Sequence, residues 1–175
     1  MKPTLIKLYH GSAVKNLRTF EIQYVRNNLD IGHGIYLTTH FDQAKTWAIR
    51  SNGCGSVYEF EVDFSDLKSI KLLRNAEDLY IVLYLCRLEI HDIAAELVTG
   101  FENADVVFAP LLDGKTKEFE IVAEQFNNGE LSLEELMDKT ELFDERKDQV
   151  CFRSQHSIEL LNRSFKKEHQ VTKED

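Results

Sequence analysis

Proline is nearly absent from this 175-residue sequence. Pro3 and Pro110 are the only two, so no Pro-rich spacer divides the chain and a single domain over 1–175 is expected. Cysteine is scarce as well. Cys54, Cys86 and Cys151 are odd in number and show no CxxC spacing, which suits a reducing cytoplasm better than a disulfide framework. Positive charge is in deficit: 21 Lys and Arg stand against 30 Asp and Glu, a formal net charge of -9. A protein held on nucleic acid by a broad basic surface is therefore disfavoured, although a nucleic-acid substrate reached through a local pocket is not. No apolar run approaches the roughly 18 residues of a membrane span, and the first residues, MKPTLIKLYHGS, hold no apolar stretch of signal-peptide length. These absences lead to the expectation of a cytoplasmic protein without membrane partners.

The 43% of hydrophobic residues is enough for a buried core, and their spacing changes along the chain. TLIKLYH (4–10) alternates as a strand does, closed by Gly11. A short β-rich run, Ile35–Thr38, follows two glycines. Thr39 and Asp42 have the spacing of a capping box, and FDQAKTWAIRS (41–51) reads as a helix with Phe41, Ala44, Trp47 and Ala48 on one face. VYEFEVDF (57–64) alternates strictly and predicts a strand. Helices are expected from Asn75 to about Glu89, over 115–127 and after the Ser132/Glu135 capping box, with strands at 104–109 and 148–153. A last amphipathic helix is expected over 154–168, and 169–175 as a disordered tail. Strands and helices without regular βαβ alternation predict an α+β fold.

Two stretches do not read as plain core. In LYHGS, His10 ends a strand, and Gly11 lets a ligand approach the backbone because no side chain intervenes. The packed, hydrogen-bonded histidine is the bland alternative. In GHGIYLTT, Gly32 and Gly34 lack the third glycine and the βαβ setting of a phosphate loop. The turn could instead aim Tyr36 into a cleft, where its ring would stack on a planar, cationic heterocycle. Other candidates are weaker. His33 and His40 lack an evident third ligand, so no metal is expected. Cys54 has no evident activating base. His91 and Asp92 read as surface, Arg50 and Arg74 are candidate pyrophosphate partners, and the acidic run 118–124 reads as a solvated helix face.

LYHGS, GIYLTT with its FDQAKTWA helix, ADVVFAPLLD and NNGELSLEEL…DQVCF, in that order, resemble a family of small bacterial proteins of unassigned function predicted to share the ADP-ribosyltransferase fold. The resemblance runs from about residue 7 to about 165. It implies a split, two-sheet β core with surrounding helices and NAD, as substrate, in the cleft between the sheets. By the same resemblance His10 would bind the adenosine ribose and the backbone of Gly11 the nicotinamide amide. Tyr36 would stack on nicotinamide, and Thr38 and Thr39 would steady the cleft. Together with Ser12 these residues form the expected NAD-binding set, with His10, Tyr36 and Gln149 as the catalytic set.

Gln149 stands where the better-known transferases of this fold carry Glu. An amide keeps the hydrogen bond to a ribose hydroxyl but loses the charge that favours a cationic transition state, an effect worth roughly 2.7–4 kcal/mol in other enzymes. Asp113, Glu118 or Glu120 could restore the charge. The function expected is ADP-ribosyl transfer to an acceptor, or NAD hydrolysis, in a protein that could be the toxin of a toxin–antitoxin pair. The alternative is a weakly active or inactive module that binds a nucleotide or a partner such as a cognate antitoxin.

Overall fold

The computed structural model describes residues 5–17, 19–21, 31–68, 70–72, 95–111, 116–140 and 147–174. The expected helix from Asn75, with Cys86, and the candidates Arg74, His91, Asp92 and Asp113 lie outside them, as does the side chain of Glu118.

Two sheets form the β core. In the first, β1 (Ile6–Ser12), β3 (Cys54–Val62) and β7 (Phe165–Thr172) are antiparallel in the order β1-β3-β7. The second runs β2-β6-β5-β4, with β2 (Ile35–Leu37), β6 (Asp148–Phe152), β5 (Val106–Pro110) and β4 (Ile70–Leu72). Among the described residues only the β4/β5 pair is parallel. The helices are α1 (Phe41–Ile49), α2 (Ala95–Glu102), α3 (Thr116–Asn127), α4 (Leu133–Thr140) and α5 (Gln155–Arg163). The chain is thus α+β, as its mixed periodicity predicts.

Alternation sorts the side chains of each strand onto two faces. Leu8, Phe60 and Val62 of the first sheet and Ile35, Leu37, Val106, Val150 and Phe152 of the second point into one core, closed by Ile158, Leu160 and Leu161 of α5. A second, smaller core lies under α1, where Ala44 and Ala48 pack against Val57 and Val171. α1 comes this close because the strand positions beneath it are glycines. A Cβ at Gly11 would run into the Ala44 carbonyl, and one at Gly55 into the carbonyls of Ala48 and Ser12.

Local signals held where both partners were local. The Ser132/Glu135 box is made, with Glu135 N–H on Ser132 Oγ at 3.2 Å and Ser132 N–H on Glu135 Oε2 at 2.8 Å. The Thr39/Asp42 box is not: α1 begins after His40, which makes no side-chain cap. The final helix also stops early. Ser164 caps α5 through N–H bonds to the carbonyls of Leu160 and Leu161, and the chain turns into β7. The expected tail therefore contains strand as far as Thr172, where it pairs with Cys54 of β3.

Candidate functional site

Among the described residues the two sheets are joined by a single ladder step. Tyr9 of β1 and Thr38, just past β2, exchange both backbone bonds, at 2.8 and 2.9 Å. In an antiparallel ladder the next hydrogen-bonded pair along this edge would be Gly11 and Tyr36. That pair is missing. His10 Nδ1 reaches the Tyr36 carbonyl at 2.7 Å instead, and the strands diverge. Gly11 points the same way as Tyr9, so its N–H and C=O face the split, with no partner among the described residues.

The carbonyl fixes the state of His10. A carbonyl oxygen can only accept, so Nδ1 carries the proton and Nε2 is left as an acceptor. The ring sits edge-on to Phe20, centroids 4.9 Å apart, with Tyr58 beyond. Burial pushes the imidazole below its ordinary pKa of 6.5, against the opposing pull of the Tyr36 hydrogen bond. His10 is therefore neutral in the folded chain at pH 7. The sign of the linked stability follows: as pH falls through 6.5 the unfolded chain takes up a proton first, so stability is present above 6.5 and declines below it. We predict an imidazole NMR titration with its midpoint below 6.5. The fall in melting temperature on acidification through that value should be smaller in His10→Gln. Glu59, Glu135 and Glu168, held by hydrogen bonds below their usual 4.5, act in a lower pH window.

A polar knot closes the junction on the α1 side. Asp148, the first residue of β6, accepts Thr38 Oγ1–H at 2.6 Å and Thr39 N–H at 2.9 Å on Oδ1, and Thr39 Oγ1–H at 2.6 Å on Oδ2. Its backbone carbonyl accepts Gln43 Nε2–H at 2.6 Å. Beside the knot is a cavity of about 520 Å³, within the size range of small-molecule sites. Tyr9, Phe41 and Trp47 give it aromatic walls, Thr39 and Gln43 give it polar ones, and Lys147 adds a cation.

The sequence-predicted residues divide. His10, Gly11 and the backbone of Tyr36 meet at the split. Thr38 and Thr39 hold Asp148, and Thr39 lines the cavity. The Tyr36 side chain lies on the face of β2 shared with Cys151. Its hydroxyl accepts Ile31 N–H at 3.0 Å and donates to Gly32 O at 2.6 Å, which pins the glycine turn. Gln149 is buried and donates Nε2–H to Pro110 O at 2.9 Å. Ser12 Oγ accepts Val14 N–H at 3.1 Å. Neither His10, Tyr36 nor Gln149 lines the cavity. Arg50 and Glu120 are exposed. Burial pushes the Cys151 thiol up to about 12, which leaves it unreactive. Among the described residues no group of three or more His, Cys, Asp or Glu could hold a metal ion, and no helix is long and apolar enough to cross a membrane.

Sequence reading missed Asp148, Gln43 and Lys147, and took Trp47 only for core. Nothing local marks Asp148, because its hydroxyl partners lie 110 and 109 residues away.

A two-sheet α+β protein with a ligand-sized cavity at the sheet junction is thereby defined. The chain belongs to a family described as a protein of unknown function (DUF3990), which matches residues 6–163. No curated protein and no solved structure shows a significant match.

Proposed function

We propose that this protein consumes NAD in the manner of the ADP-ribosyltransferases, passing ADP-ribose to an acceptor or to water. The observation that carries this is the open backbone pair of Gly11 beside a neutral His10. A primary carboxamide has the complementary pair: its oxygen accepts Gly11 N–H and its NH₂ donates to Gly11 C=O. His10 Nε2 then accepts a ribose hydroxyl. The rings of Tyr9, Phe41 and Trp47 offer flat, electron-rich faces to a cationic pyridinium, and Lys147 offers a charge to phosphate oxygens. In the reaction the bond from the nicotinamide ring nitrogen to ribose C1′ breaks. Nicotinamide leaves with the electron pair and so loses its positive charge. An acceptor oxygen or nitrogen bonds to C1′ and releases a proton.

A second reading, binding without turnover, is favoured by Gln149, which is uncharged, 2% exposed and committed to Pro110. A cognate antitoxin or an acceptor protein would then be the partner. Calorimetry with NAD, with nicotinamide release followed in parallel, separates the two. We expect wild type to bind and His10→Ala or Trp47→Ala to bind about tenfold more weakly, the loss of one buried contact of about 1.4 kcal/mol. Release of nicotinamide by wild type supports the enzyme. Binding without release supports the module, above all if Gln149→Glu gains activity. Absence of NAD binding by wild type overturns both.

A further inference from the structure

Asp148 lies next to Gln149, and its placement bears on the charge that Gln149 lacks. Thr39 donates its hydroxyl hydrogen bond to Asp148 Oδ2, at 2.6 Å, so the lone pairs of its own oxygen are what it has left to offer a ligand in the cavity. Gln43 also lines the cavity. It has given Nε2–H to the Asp148 carbonyl, and its Oε1 is buried with no hydrogen-bond partner among the described residues. Thr39 Oγ1 and Gln43 Oε1 are thus two acceptors that receive no hydrogen bond from the described residues, on side chains that line the cavity and are both oriented by one residue. Thr38 completes the arrangement. Its hydroxyl donates to Oδ1 and accepts His40 N–H at 3.1 Å, so the hydroxyl that holds the carboxylate is itself oriented by the backbone at the start of α1. Such a floor fits a pair of donors, and the donor pair of a nucleotide sugar is its vicinal diol.

We infer that Thr39 and Gln43 bind the diol of the nicotinamide-bearing ribose, and that Asp148, acting through Thr39, is the positioning residue that brings negative charge to this site. The inference rests on the NAD reading above. A hydroxyl hydrogen-bonded to a carboxylate is a stronger acceptor than a free one, because the network polarises it. The ribose hydroxyl held by Thr39 is therefore better held as positive charge grows at C1′, and the charge need not come from residue 149.

The test compares NAD with the analogue lacking the 2′-hydroxyl of the nicotinamide ribose, on wild type, Thr39→Val, Thr39→Ser and Asp148→Asn. Affinity, kcat and KM for nicotinamide release, and melting temperature are measured. Wild type should prefer NAD. In Thr39→Val and Asp148→Asn that preference should collapse towards unity, with kcat lowered roughly a hundredfold and KM changed much less. Thr39→Ser, which keeps the hydroxyl, should restore both. If Asp148→Asn does not fold, Thr39→Val carries the comparison alone, since it leaves the carboxylate in place. A merely structural knot would lower the melting temperature without touching the preference. Folded variants that discriminate as wild type does overturn this inference and leave NAD consumption standing. A wild type that does not bind NAD overturns both, and does so before any variant is made.

Discussion

Gly11→Ala is expected to abolish NAD binding and to lower stability by about 1–3 kcal/mol, the range for overfilling a packed site. The added Cβ would run into the Ala44 carbonyl, which belongs to the backbone of α1 and cannot rotate away. Alanine also restricts the unfolded chain, a gain of about 0.4–1 kcal/mol, too small to offset the clash. α1 must then lift from β1, carrying with it Gln43 and Trp47 of the cavity wall and disturbing the edge where Gly11 offers its N–H and C=O. Gly55→Ala separates the two effects. It meets the same helix through the Ala48 carbonyl, from β3, the strand on the other side of β1 from the split. Thermal melts should show both variants destabilised, by roughly 2–4 °C for each kcal/mol lost. Calorimetry at a temperature where both are folded should show binding retained, though weakened, only in Gly55→Ala. Equal binding by Gly11→Ala and wild type would remove the Gly11 backbone from the site.

Phe152→Ala should cost about 3–5 kcal/mol, a large part of the roughly 5–15 kcal/mol that holds a domain of this kind folded. Phe152 has no exposed surface and sits in the middle of the second sheet, opposite Ile35 on one side and Val106 on the other. Its ring lies 6.0 Å from that of Phe64, so truncation opens a cavity in the core between the two sheets. The loss should appear as a lower urea midpoint. Because Phe152 faces the inter-sheet core while the knot lies at the other end of β6, the folded fraction should bind NAD as wild type does. A loss under 1 kcal/mol would mean that this core collapses around the gap.

Much of the fold was legible because it is written locally. The alternation of VYEFEVDF marks β3, and the i, i+3 spacing of Ser132 and Glu135 marks the start of α4, since both partners lie within one turn. The same rule misled at Thr39. Its hydroxyl had a local use at a helix start, but the Asp148 carboxylate offers a charge-assisted bond, and the helix starts without the cap. β7 was illegible for a related reason. FKKEHQVT buries only Val171, so no apolar period announces a strand; the free edge of β3 makes it one by supplying the ladder.

The amino-acid order by itself determined that His10 and Gly11 are adjacent on one strand and that Tyr36 follows a glycine turn. Tertiary structure decided the rest: that β1 and β2 join at one step and part at the next, that His10 takes the Tyr36 carbonyl and leaves Gly11 open, and that Asp148 meets Thr38 and Thr39. Period and capping reach only a turn or two along the chain, whereas a hydrogen bond between strands takes whichever partner the packed core brings within about 3 Å.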